Sequence, residues 1–347
     1  MKPLKQYIPR AIVKVKRRAQ NILQKRIADC QNILESAVVW TGNISGKSKA
    51  AELDRKLYHD NDENVENEGV VCVLDGNMYH GGLTDRLRGV LTVYREAKKR
   101  GCPFHIMWDT PFRLIDYLVP ATFDWNLNRG KLSRSRKNSK VIVADDLNDF
   151  QSIVRIRSAF HKPKKQIHFY TNADSACGEY ASLYRELFKP SGKLQEQVDR
   201  HLEKLGSHYW SVTYRFLNVL GDFKDWSKII LDDNEKRELI SDSISALNKI
   251  IKDAPAGIKI LVTSDSGIFL KSIENLDSRI YIVPGDVKNI DLDGVNGAGA
   301  WMKTFVDQQL IMNADKVFRM LNPLTYATGF PRFAAEVGGA EFIDYRY

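Results

Sequence analysis

The stretch GVVCVLDGNMYHGGLTDRLRGVLTVYREAKKRG, residues 69–101, decides how the chain folds. It opens on a short apolar run of the kind that fills a strand buried on both faces. Gly81 and Gly82 follow, and then residues 83–99 carry apolar positions at helical spacing between charges. A strand, a glycine pair and a helix in that order leave free N–H groups and the positive end of a helix dipole at the turn, where an anion is favoured. Asp85 in the first helical turn is stabilised by that dipole, and Arg86 and Arg88 add fixed cations. The alternative is a glycine turn made for packing, with Asp85 an ordinary N-terminal acid.

The same texture continues along the chain. Strand patterns recur at CPFHIMW (102–108), KVIVAD (140–145) and QIHFYT (166–171), with a helix at 181–188. After a polar connecting helix at 191–206 they return at YWSVTYRF (209–216), IKILVTS (258–264) and RIYIVP (279–284). Helices are predicted at 234–252, 266–274, 298–311 and 331–338. Short apolar strands alternating with helices predict parallel, doubly wound sheets. The 347 residues exceed one typical domain, so two α/β units with a boundary near 190–207 are expected, facing each other across a cleft.

Charge is unevenly placed. The net charge is +9, yet residues 1–28 hold nine Lys/Arg and no acid, so removing those nine from 52 leaves 43 basic residues against 43 acidic ones. A neutral body argues against nucleic acid as a partner. Within the basic segment Ile8, Ile12, Val15, Ala19 and Ile27 recur at helical spacing. Residues 1–36 therefore read as a basic amphipathic helix, either lying on an anionic membrane or packed on the body. Residues 37–68 read as an irregular acidic linker. Its TGNISGKSK is one residue short of a phosphate-binding P-loop, and its Asp60 and Asp62 are read as merely solvated. Cys30, Cys72, Cys102 and Cys177 form no C-x-x-C pair, which suits a reducing compartment, and no run reaches the roughly 18–20 apolar residues of a membrane span. The expected location is cytoplasmic, peripheral on the inner membrane face.

Three further stretches carry candidate chemistry. SVTYRFLNVLGDF puts Arg215 at the end of the first strand of the second unit, where its planar fork suits a diphosphate. LVTSDSGIF puts Ser264, Asp265 and Ser266 at a strand end, where Asp265 either caps the next helix or binds a nucleotide. MLNPLTYATGFPRFAAEVGG gives Tyr326, Thr328, Gly329 and Phe330 just before a helix that begins at Pro331, a second phosphate cradle.

The order GGL-x-DR, strand-Arg, T-S-D-S, then A-T-G-F-P-x-x-A-A resembles the GDP-fucose-dependent fucosyltransferases of GT-B architecture, over roughly residues 70–343. It is most similar to members from bacterial surface-polysaccharide loci, which carry GGL-x-DRLRG and the run FHIMWDTPFRLIDYLVPATFDW (104–125). The resemblance implies two Rossmann-like domains, an acceptor domain at 69–195 and a nucleotide-sugar domain at 196–347. It implies that Arg215 meets the donor's β-phosphate, Asp265 and Ser266 the guanosine, and Thr328 to Phe330 the diphosphate, with Gly81 and Gly82 on the opposite wall. The family's His-x-Arg-x-Gly-Asp is altered: Thr213 stands for the histidine, and Gly221-Asp222 lies several residues downstream. The implied reaction is a metal-free, inverting displacement by an acceptor hydroxyl of a glycan or lipid-linked glycan. Asp85 is the first candidate base, with His80, Asp109 and Asp116 behind it and Arg86 on the acceptor side. The six cations of 129–140 either hold an anionic acceptor or are solvated, and Trp108, Trp125 and Trp301 either stack on sugars or belong to the core. Two rivals stand: a GT-A transferase holding Mn²⁺ at Asp291 and Asp293, and a non-catalytic membrane-surface or polyanion-binding protein on an α/β scaffold.

Overall fold

A computed structural model describes residues 45–145, 149–225, 229–290, 292, 299 and 301–347. The basic segment 1–36, Asp291 and Asp293 lie outside the described residues.

The first sheet holds β1 (Gly69–Leu74), β2 (Phe104–Trp108), β4 (Ser139–Ala144) and β5 (Gln166–Thr171) in the order β2-β1-β5-β4, all parallel. Helix α1 (Ser45–Leu57) precedes it, α2 (Leu83–Lys98) joins β1 to β2, and α3 (Asp149–Ser158) joins β4 to β5. The period-2 geometry of a strand explains the apolar run of β1. Val70, Cys72 and Leu74 face α2, while Val71 and Val73 face Leu53 of α1 and Tyr170 of β5. A small ribbon, β3 (Leu118–Pro120) against β6 (Phe188–Pro190), is antiparallel, and α4 (Tyr180–Leu187) runs into β6.

After α5 (Gly192–Leu205), the second sheet is again wholly parallel. It holds β7 (Tyr209–Tyr214), β8 (Lys259–Ser264), β9 (Ile280–Tyr281), β10 (Lys316–Leu321) and β11 (Glu341–Arg346) in the order β11-β10-β7-β8-β9. Its connections are α6 (Asp233–Asp253), α7 (Gly267–Ile273), α8 (Met302–Met312) and α9 (Phe330–Gly338). Two doubly wound parallel sheets are what the sequence predicts. β10 and β11 are additions: KVFRML and EFIDYR alternate apolar with charged residues, and the charges pair across the strands, with Arg319 Nε 2.7 Å from Asp344 Oδ1.

One apolar core threads both sheets. Val70 and Leu74 of the first and Leu261 and Val317 of the second share it, bridged by Phe305 of α8 and Phe333 of α9. The Tyr117 ring stacks on Phe305 at 4.4 Å and Tyr180 lies 5.0 Å from Phe333, so the last two helices pack against the first half of the chain.

Residues 45–68 depart from the reading of an irregular acidic linker. They contain α1, and Leu53 and Tyr58 are buried. Their acids meet the basic run 129–140: Arg136 Nε lies 2.9 Å from Asp54 and Nη1 3.2 Å from Asp60, and Glu63 accepts from Ser133 Oγ at 2.6 Å and from the Arg134 amide at 2.9 Å. The cations are thus largely spoken for, Arg136 by Asp54 and Asp60, Arg129 by Asp109 and Arg134 by Asp75, while Asp60 keeps 82 % of its side chain in solvent, as a solvated acid does.

Close approach explains Gly89 of α2. A Cβ there would sit 2.3 Å from the carbonyl oxygen of Thr171. Gly89→Ala should therefore lower stability by about 1–3 kcal/mol, the usual penalty of forced overpacking. Gly130→Ala, where a Cβ meets nothing, should leave the denaturation midpoint unmoved. Among the described residues no helix is long and apolar enough to cross a membrane.

Candidate active site

A cavity of about 360 Å³ lies between the carboxyl ends of the two sheets. That is where an open α/β sheet leaves its crevice. Gly82 and Asp85 line it from the first half; Arg215, Ser264, Asp265, Tyr326, Thr328, Gly329 and Phe330 line it from the second. The glycine turn, the strand arginine and the late Thr-Gly-Phe turn, which are far apart in sequence, therefore share one space.

Arg215 directly follows β7. Its Nη1 lies 3.3 Å from Asp265 and its Nη2 3.5 Å from Asp225, and the guanidinium sits 4.4 Å from the centre of the Phe223 ring. The flat face is thus supported by an aromatic ring and the fork braced by two carboxylates, which fixes its direction. The Arg215 carbonyl accepts from the Tyr326 amide at 2.9 Å, tying β7 to the Tyr326–Phe330 turn.

Asp265 lines the cavity but does not cap the next helix. It is buried, and its two oxygens accept from the amides of Phe216 at 2.8 Å and Leu217 at 2.7 Å. Burial pushes its pKa up, against Arg215 and those amides. Leu217 is held at φ 55°, a left-handed conformation costly for a branched side chain. Asp265 is the clasp on that strained turn. The cap of α7 is Ser266, whose Oγ accepts from the Phe269 amide at 3.1 Å and donates to Asp222 at 3.0 Å. Ser266 does not line the cavity.

Asp85 closes a capping box on α2, its Oδ2 accepting from the Gly82 amide at 3.1 Å. Although 48 % of its side chain is open, that opening is onto the cleft, and the walls that strip its water push its pKa up. Arg88, the Gly82 amide, Arg86 and Arg215 act against this push, so the carboxylate of one half feels the guanidinium of the other. Arg88 reaches across as well. Its Nε is 3.4 Å from Asp174, and a Cβ on Gly329 would lie 2.7 Å from its Nη2.

The remaining acceptor-side candidates are placed elsewhere. His80 is fully buried beside Tyr170, and desolvation holds its pKa down at about 3, so it stays neutral and closed off from the cleft. Arg86 is also buried. Its Nε donates to the carbonyl of Gly81 at 2.9 Å, so it shapes the glycine turn, where Gly81 has φ 79°. Asp109 is gripped by Arg129 through two 2.7 Å bonds, and Asp116 faces Arg113 at 3.7 Å on a surface turn. None of the four lines the cavity, nor does Gly81. Their positions near the motif in sequence carried the expectation; the strand and turn geometry directs them away.

Sequence reasoning weighed Trp301 but missed the wall around it. Trp301, Thr304, Phe305 and Asp307, at and on α8, line the cavity with Phe112, and Phe223, Asp225 and Asn289 line it beside Arg215. The signal was in α8 itself, where the charged Lys303 and Asp307 stand at i and i+4 among the buried residues of the helix. Of the three tryptophans weighed, Trp125 is core, donating to the Leu187 carbonyl at 2.6 Å, and Trp301 is the one on the cavity.

No family model matches the chain, and no curated protein matches it. Solved structures do. NodZ alpha-1,6-fucosyltransferase soaked with GDP-fucose is similar at 16 % identity and a TM-score of 0.53, covering 80 % of this chain and 95 % of that one. Fucosyltransferase NodZ from Bradyrhizobium is similar at 15 % and 0.52, over 77 % and 92 %. A point variant of Arabidopsis thaliana FUT1 in complex with GDP gives 13 % and 0.54, over 86 % and 74 %. The fold is that of the GT-B fucosyltransferases. In GT-B terms the cavity is the interdomain cleft, and the β7–β11 sheet, separate from the first, overturns the GT-A alternative. Among the described residues no cluster of His, Cys, Asp or Glu is arranged to hold a metal.

Proposed function

We propose that the chain is an inverting glycosyltransferase that moves fucose from GDP-fucose to a hydroxyl of a surface glycan or lipid-linked oligosaccharide without a metal. The observation that carries this reading is that Arg215, Asp85 and the Thr328–Phe330 turn line one cavity between two sheets. Expelling a nucleoside diphosphate is the main barrier. A braced guanidinium aimed at the departing oxygens needs no reorganisation as charge develops, which is what makes such groups effective in a water-poor site. The amino end of α9 adds its dipole from the Thr328–Phe330 side. Asp85 faces it from the acceptor half and takes the hydroxyl proton.

The test is a panel of sugar nucleotides scored by thermal shift and hydrolysis. Silence toward every GDP-sugar together with a response to UDP-sugars rejects the donor, and loss of activity in EDTA rejects metal independence. A base must be ionised to work, and desolvation holds the Asp85 pKa above the ordinary carboxylate value. The kcat/KM profile should therefore lose activity as pH falls through a midpoint higher than the usual ~4 of a free aspartate. Asp85→Asn should remove that acid limb and lower kcat by roughly 10²–10⁴.

Residues 1–36 give the reading its place in the cell, a peripheral site on the inner membrane face. Binding of the full chain to anionic but not neutral vesicles, lost when residues 1–28 are deleted, supports it. If that deletion abolished every measurable function while Arg215→Ala altered none, the non-catalytic binding protein would be the better account.

A further inference from the structure

Helix α8 holds polar groups that neither phosphate chemistry nor packing requires. Lys303 and Asp307 are both buried, with Nζ 2.9 Å and 3.3 Å from the two carboxylate oxygens. A buried ion pair is often no more stabilising than apolar residues of the same volume, so its presence on a core helix calls for a use. Asp307 lines the cavity, and a carboxylate accepts about four hydrogen bonds, of which one ammonium cannot fill all. Thr304 lines it one turn earlier. Trp301 lines it too, is 1 % exposed, and its indole N–H has no acceptor among the described residues. Buried donors of this kind are normally satisfied, and a ligand hydroxyl would satisfy this one. Beside them the Phe112 ring lies 5.6 Å from Trp301 and 5.4 Å from Phe305, giving the same wall an apolar edge.

The place of this wall follows from the two halves. Phe112 belongs to the first half, so α8 meets the cavity at the seam. A nucleotide sugar held at its diphosphate by Arg215 must turn its sugar toward the half that carries Asp85. We infer that Trp301, Thr304 and Asp307 select the transferred sugar. Donor and acceptors on α8 engage ring hydroxyls, and the Phe112–Phe305 edge receives an apolar face such as the methyl of a 6-deoxyhexose. The inference rests on the donor reading given above.

Thr304→Val and Asp307→Asn separate the two. In the full-length protein, affinity for GDP alone is measured beside kcat/KM for GDP-fucose and for GDP-mannose. GDP affinity should be unchanged in both variants, while kcat/KM for GDP-fucose falls about 10–200-fold and the preference over GDP-mannose shrinks, the range that one lost pocket contact gives. Unchanged sugar discrimination in both variants, with GDP still bound, overturns the inference and spares the donor reading. If Asp307→Asn also loses GDP or melts early, its role is structural, and the nearly isosteric Thr304→Val alone decides. Failure of the unmodified protein to bind GDP overturns the donor reading and this inference with it.

Discussion

Arg215→Ala should lower kcat by about 10²–10³, the loss seen when a preorganised charge-stabilising group is removed from a transition state. The residue is 24 % exposed, open to the cleft, and its fork is braced by Asp225 and Asp265. Its removal also strands the carboxylate of Asp265, whose side chain is only 2 % exposed, and a buried charge left without its partner costs about 3–5 kcal/mol. Thermal denaturation must therefore accompany the kinetics. Arg215→Lys keeps the charge and most of the stability but loses the planar pair of donors, so it should fold and still turn over slowly. A folded lysine variant that works at the parent rate would remove Arg215 from the chemistry.

Asp265→Ala should lower stability by an amount comparable to Arg215→Ala, by a different route. It leaves the buried amide of Phe216 and the half-buried amide of Leu217 without acceptors, at about 1–3 kcal/mol for a fully buried group. It also frees Leu217 from a left-handed conformation that costs about 1–3 kcal/mol to hold, so relaxation of the turn recovers part of the loss while moving Arg215. The expected result is a drop of roughly 3 kcal/mol in unfolding free energy by denaturant titration, with activity lost in the fraction that remains folded. Asp265→Asn, which keeps one carbonyl acceptor, should lie between. An alanine variant with parent stability would show that the turn is held by something else.

How much of this could be read in advance depended on how local each signal was. β1, β5, β7 and β8 are buried on both faces, so their apolar runs needed no knowledge of a partner. The turn at Gly81–Gly82 and the cap by Asp85 are written within five residues. The pairing of Arg136 with Asp54 and Asp60 is not, because some eighty residues separate acids and bases that look solvated when read alone. Asp265 misled in a different way. TSDSG has the composition of a helix start, but the cap falls on Ser266, and the aspartate reaches back to a turn 48 and 49 residues earlier. The charges of α8 were visible and their meaning was not, since only the fold places that helix against Phe112.

The helices that follow β9 and β10 belong by chain order to the half that holds Arg215, yet Phe305 and Phe333 sit in the core that both halves share. A chimera spliced between α5 and β7, the natural choice for exchanging one half of the chain, would sever that core while leaving every sequence motif intact. A graft that succeeds must carry the matching faces of α8 and α9 with it. Changes that keep this fold soluble are therefore expected in the loops that rim the cleft, and wholesale exchange of halves should yield insoluble protein.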